Sequence, residues 1–150
     1  MSSLAAVESL GTATAGVCSM SEGLADTSVI IDWDDPAVLA ALPDAVAIST
    51  ITLAELAAGP HLARDPLERA RRQARLQQVE ALFDPLPFDV IAARSFGQVV
   101  AAATAAGRSH RSRLADLLIA AVAHANHLPL YTRNPQDFAG LSPLITVQAI

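Results

Sequence analysis

From residue 23 onward, apolar residues come in short blocks separated by proline, glycine and acidic residues. "GLADTSVII" (23–31) reads as a short buried strand that ends near Asp26 and hands over to a helix. Asp34-Asp35-Pro36 opens "AVLAAL", because proline and acids both suit a helix's first turn, and Pro43-Asp44 breaks it. "AVAIS" (45–49) is a second strand. "TITLAELAAG" (50–59) is a helix stopped by Gly59-Pro60. Asp65-Pro66 starts a long polar helix over roughly 66–82, and "DPLPFD" (84–89) is an extended link. "VIAARSFGQVVAAATAAG" (90–107) is a helix ending at Gly107, and "RSHRS" (108–112) is a basic loop. "RLADLLIAAVAHAN" (113–126) is a strongly apolar helix. "LPLYT" (128–132) is a strand, "RNPQDFAGL" (133–141) a loop with a helical turn, and "LITVQAI" (144–150) a last strand.

Short strands alternating with helices predict an α/β fold: three α/β/α layers around a short, mainly parallel central sheet. Ligands of such sheets sit beyond the carboxyl ends of the strands. Asp26 and Thr132-Arg133-Asn134 both fall at predicted strand ends. Residues 23–150 read as a single domain. Residues 1–22 read as a loosely ordered extension, because the first 19 are small, weakly polar and without positive charge, unlike a secretory signal. Met20 stands just before the first patterned block and is a plausible shorter start.

Composition narrows the class. The apolar fraction of 52% argues against disorder, and the alanine-rich core with 4% aromatics suggests closely packed helices. The net charge is −5, so bulk charge does not draw the chain to nucleic acid. A polyanionic partner must be held by local positive patches or bound metal. The single cysteine, Cys18, excludes an internal disulfide and a Cys/His zinc cluster, and fits a reducing cytoplasmic setting. No apolar run reaches the ~18 residues of a membrane span.

The acids carry the chemistry, and each has a plain structural reading beside the functional one. Asp116 is the sole charge in "LADLLIAAVA", where Leu114, Leu117, Leu118, Ala121, Val122 and Ala125 share one face. A carboxylate in a helix that is apolar all round needs a partner; a dipole-stabilised acid at the helix start is the plain alternative. Glu55 lies in "ITLAEL", and Thr52-x-x-Glu55 matches a capping box. Asp26 is placed to cap the helix after it. Asp-Thr-Ser is not the D-x-D of an aspartyl-phosphate enzyme. Asp137 and Asn134 suit a turn, and Asp32, Asp34, Asp35 and Asp44 read as caps or solvated acids. A Gly-rich phosphate loop and a G-x-S-x-G elbow are both missing, which argues against other hydrolase classes.

Together, Asp-Thr-Ser after an opening strand, Ser/Thr-x-x-Glu-Leu, an apolar helix bearing one Asp and a closing T-R-N-x-x-D-F resemble the PIN-domain family. Within it, "ADLLIAAVAHANHLPLYTRNPQDF" is similar to the VapC-type toxins of bacterial toxin–antitoxin pairs. The resemblance covers about residues 23–150 and implies a PIN-like nuclease domain. It implies a Mg²⁺- or Mn²⁺-dependent endoribonuclease, a VapB-type antitoxin partner and a homodimer. The family's acids carry over to Asp26, Glu55 and Asp116. Its fourth acidic position falls on Asn134, which brings no charge, and Asp137 follows three residues on.

Two carboxylates about 4 Å apart repel by roughly 4 kcal/mol at an effective dielectric near 20. Three in one cleft call for protonation or a divalent cation. On this reading Asp26 and Asp116 ligate the metal, and Glu55 ligates through water or orients the attacking water. Thr27, Thr132 and Asn134, with Asp137 beside them, supply supporting hydrogen bonds. Arg108, His110, Arg111 and Arg113 lead into the Asp116 helix and are placed to contact RNA phosphates, unless they form only a solvated loop. The arginines of helix 66–82 form either a solvated face or an antitoxin-docking surface. A catalytically silent PIN-like module that binds RNA or protein is the alternative to the nuclease.

Overall fold

The computed structural model describes residues 20–150; residues 1–19 of the proposed extension (1–22), Cys18 among them, lie outside the described residues. Four strands form one parallel sheet: β1 (Glu22–Ala25), β2 (Ala45–Ala47), β3 (Leu130–Thr132) and β4 (Val147–Ala149). Their order is β2-β1-β3-β4. Glu22 pairs with Ala45, and the Ser21 hydroxyl and backbone N–H both donate to Asp44. Ser21 and Glu22 are therefore part of the sheet region, not of an extension.

The helices are α1 (Thr27–Ile31), α2 (Pro36–Ala41), α3 (Thr50–Leu62), α4 (Pro66–Leu82), α5 (Val90–Ala105) and α6 (Leu114–Ala125), with a 3₁₀ turn at Pro135–Phe138. Alternate strand residues face opposite layers. Leu24, Ala47 and Leu130 pack with Val99 of α5 and Val122 of α6. Ala25, Val46 and Ile48 pack with Val29 of α1, Val38 of α2, Leu56 of α3 and Val79 of α4. The sheet is thus covered on both faces, as the pattern predicted. Asp35, Ser49, Asp65 and Asp89 each accept a backbone N–H at the start of α2, α3, α4 and α5. Such caps are worth ~1 kcal/mol apiece.

Three local readings change. Helix α3 does not stop at Gly59-Pro60 but runs on to Leu62. Pro60 lies in the last turn and withholds one N–H from the ladder there; its ring is buried, and Arg72 of α4 donates to the Gly59 carbonyl at 2.9 Å. The 84–89 link is more than a spacer: Leu86 is buried and bridges to Ser49 beside the sheet. Leu114 is 49% exposed rather than part of the buried face of α6, because it sits in that helix's first turn at the rim. The rest of α6 is as apolar as expected, with Leu117 and Ile119 through Ala123 all buried.

Candidate active site

The chain runs from β1 to β2 on one side of β1, then returns as β3 on the other side. This reversal makes the carboxyl ends of β1 and β3 the switch point of the sheet, where ligands of parallel sheets bind. Asp26 follows β1 directly and is 4% exposed. Its Oδ1 accepts from Val29 N at 3.2 Å, capping α1, and from Ser28 Oγ at 2.6 Å. Its Oδ2 accepts from Thr132 Oγ1 at 2.6 Å, across the switch point. The cap reading of Asp26 is therefore correct, and the same carboxylate also accepts from β3 across the switch point. Burial raises its carboxyl above the ordinary value, with the bonds from Ser28, Thr132 and Val29 opposing.

Glu55 is not the end of a capping box. The cap of α3 is Ser49, whose Oγ accepts from Thr52 N, one turn ahead of the Thr52-x-x-Glu55 pattern. Glu55 instead accepts from Thr27 Oγ1 at 2.7 Å, and that hydroxyl lies 3.1 Å from Thr52 Oγ1. Thr27 is thus a direct support of Glu55.

Asp116 occupies the first turn of α6, half-buried. Burial pushes its carboxyl up to about 6, and the charges of Asp137, Glu55 and Asp26, in that order, add to the rise. Arg113 pulls it back. The field places the three acids read from the sequence in one neighbourhood, together with Asp137 from the 3₁₀ turn. Among the described residues, no three His, Cys, Asp or Glu side chains stand closely enough to hold a metal ion as they are. The acids share a field rather than a ready cage.

The position after Thr132-Arg133 does not supply the fourth charge. Asn134 is exposed, and its backbone N–H donates to Thr132 Oγ1 at 3.0 Å. Asp137 lies in the 3₁₀ turn, which packs against α6, and among the neighbouring charges it weighs most on Asp116. Two members of the basic loop are also engaged. Arg113 pairs with Asp137, and Arg108 donates to the Gln136 carbonyl at 2.9 Å. His110 and Arg111 are exposed. Two supporting residues were not foreseen. Ser28 accepts from Arg133 N at 3.1 Å while donating to Asp26, and Arg133 pairs with Asp32 and Asp35. A hydroxyl two residues after a capping Asp was the only sequence signal for the first.

Thr132 joins two obligations in one buried hydroxyl, as donor to Asp26 and acceptor from Asn134. Thr132→Val keeps the shape and removes both bonds. The expected loss is about 1–3 kcal/mol in urea unfolding, with Thr132→Ser recovering most of it; equal stability of the valine variant would refute the assignment.

A model of the family described as PIN domain matches residues 24–141. The chain is 40% identical over 130 residues to the ribonuclease VapC5 of Mycobacterium tuberculosis, covering 85% of this chain and 93% of that protein. Its fold is similar to a crystal structure of VapBC-5 from M. tuberculosis, a member of the VapBC family of toxin–antitoxin systems. The TM-score is 0.73 at 38% identity, over 87% of this chain and 98% of that one. It is also similar to FitAcB from Neisseria gonorrhoeae, with a TM-score of 0.68 at 31% identity, over 83% and 95% of the two chains. The span of the family match, the identity to VapC5 and the parallel sheet agree, and the chain belongs to the PIN-domain family, in its VapC-type branch.

Proposed function

We propose that this chain is the toxin of a type II toxin–antitoxin pair and cleaves RNA as a Mg²⁺- or Mn²⁺-dependent endoribonuclease. The observation that carries this reading is that the charges of Asp26, Glu55 and Asp137, each from a separate element, all bear on Asp116, with Asp26 tied across the carboxyl ends of β1 and β3 by Thr132. The naming of VapC5 as a ribonuclease and of VapBC-5 as a toxin–antitoxin system supports it. Asp137 weighs against the silent module, whose ground was the lack of a fourth acid.

The donor set fits a hard divalent cation, since every group is a carboxylate or hydroxyl oxygen and no thiolate or imidazole is among them. Asp26 and Asp116 would hold it, with Glu55 acting through water. When bound, the ion supplies positive charge against the substrate phosphate and makes a water easier to deprotonate for in-line attack on phosphorus. The protein's own groups do the rest. Ser28, Val29 and Thr132 fix the Asp26 carboxylate from three directions, leaving it one orientation. Thr27 fixes Glu55 so that its second oxygen can orient the attacking water. His110 and Arg111 are free to meet flanking phosphates of a substrate that bulk charge does not attract.

We place the antitoxin in a groove of about 460 Å³ between α1, α3 and α4. Ile31 and Leu62 line it with 59% and 71% exposure, Arg71 and Arg75 rim it, and it runs up to Thr27 and Glu55. An acidic amphipathic segment of the antitoxin fits this lining, and its end would lie against the catalytic acids. The toxin would act in the cytoplasm, as a homodimer; no helix among the described residues is long and apolar enough to cross a membrane.

The direct test is cleavage of single-stranded RNA by the purified chain in Mg²⁺, in Mn²⁺ and in excess chelator. Cleavage is expected only with metal, and undiminished cutting in chelator refutes the mechanism. The Ile31→Glu, Leu62→Glu double variant should weaken co-purification with the antitoxin by roughly a hundredfold while its metal-dependent cleavage stays intact. Unchanged antitoxin binding would move the docking surface elsewhere.

A further inference from the structure

Arg113 differs from the other paired arginines. Arg72 pairs with Glu68, Arg75 with Asp34, and Arg133 with Asp32 and Asp35, all acids outside the site. Arg113 pairs with Asp137, the acid whose charge weighs most on Asp116. It occupies the N-cap position of α6 but makes no side-chain capping bond, so the helix does not need its side chain. The loop does not need it as a clamp either, because Arg108 already ties that loop to the 3₁₀ turn through the Gln136 carbonyl. Arg113 and Asp137 keep side-chain exposures of 34% and 27%, enough for an ion or a phosphate to reach both.

We propose that Arg113 is a resident counter-ion of the acidic site, which neutralises Asp137 until a divalent cation takes over the acids and is then released to grip an RNA phosphate. This rests on the metal-dependent reading above. A guanidinium beside the acids repels an arriving cation and lowers its affinity. The same planar fork matches phosphate oxygens in two-point geometry once Asp137 lets go. Arg113 therefore acts as a positioning residue that exchanges one anion for another, so that a loaded site and a phosphate grip arise together.

The test uses the full chain and reads binding rather than turnover. Mn²⁺ affinity is measured from the free-ion signal in electron paramagnetic resonance. RNA affinity is measured by fluorescence anisotropy of a labelled single-stranded RNA in Ca²⁺. Arg113→Gln should tighten Mn²⁺ binding about three- to tenfold and weaken RNA binding about tenfold. Arg113→Lys keeps the charge and should leave Mn²⁺ affinity near that of the parent, while restoring RNA binding only in part. A circular dichroism melt of each variant separates these effects from loss of fold. Unchanged or weaker Mn²⁺ binding in Arg113→Gln overturns the counter-ion role, and tighter Mn²⁺ with unchanged RNA affinity overturns the phosphate grip. If neither the parent nor Asp116→Asn binds Mn²⁺, the metal reading itself fails and takes this proposal with it; if only the parent binds, that reading stands and Arg113→Gln alone decides.

Discussion

Asp116→Asn is expected to cut RNA cleavage by at least roughly a thousandfold and, without metal, to make the protein more stable. Both effects share one cause. The folded state holds the Asp116 carboxyl at about 6 against an ordinary 3.8, because burial and three neighbouring acids disfavour its charge. Its proton is bound more tightly in the folded chain, so the stability this confers is complete below pH ~4 and is lost as pH rises through about 6. At neutral pH the ionised carboxylate is a liability of at most ~3 kcal/mol, which screening at a half-exposed site reduces to about 1–2 kcal/mol. Asparagine has no charge to lose. The variant should melt about 3–6 °C above the parent at pH 7.5 in chelator, and the gap should close near pH 4. Saturating Mn²⁺ should raise the parent's melting temperature and not the variant's. A gain that ignores pH would show that Asp116 is not the strained group, and wild-type cleavage by the variant would remove it from the chemistry.

The second large effect is structural and acts on the site from a distance. Gly140 has φ +88°, where side chains other than glycine are strained, and an added Cβ would lie 2.5 Å from Ala106 Cβ. Ala106 ends α5, and Gly140 follows the 3₁₀ turn that carries Asp137. Gly140→Ala should therefore cost about 2–4 kcal/mol, from roughly 1–2 kcal/mol of backbone strain plus the overlap. It should also push the 3₁₀ turn away from the 108–113 loop and weaken the pairing of Arg113 with Asp137. Urea unfolding measures the first effect. Adding Ala106→Gly should return the overlap part and leave the backbone part, which separates the two. Full stability of Gly140→Ala would mean that the turn has another conformation.

The sequence pattern made the layered fold readable because strands and helices alternate with distinct periods and clear stops. Asp116 stood out as a lone charge among alanines and leucines, and its place in the first turn of α6 agrees equally with the helix-start reading. Glu55 was ambiguous because a threonine three residues earlier imitates a cap; only the true start of α3 at Thr50, capped by Ser49, resolves it. Asp137 looked like an ordinary turn acid, and its distance from Asp116 is set by the fold of a 3₁₀ turn that no local pattern specifies. Arg113 and Arg108 were readable as positive charge but not as occupied charge, since their partners lie more than twenty residues away. Pro60 misled for a related reason: a helix breaker is judged from local hydrogen bonding, while burial of its ring depends on α4.

Asp26 closes the first turn of α1 and stitches β1 to β3, so the first of the candidate site acids along the chain is also a seam of the molecule. On the proposed function, a cell escaping this chain's activity is expected to lose Glu55 or Asp116 and still accumulate an intact, inert polypeptide. Discarding Asp26 loosens the seam as well and exposes the product to proteases. Survivors of forced expression should therefore carry lesions at 55 and 116 with normal toxin abundance, and lesions at 26 with little toxin left to detect.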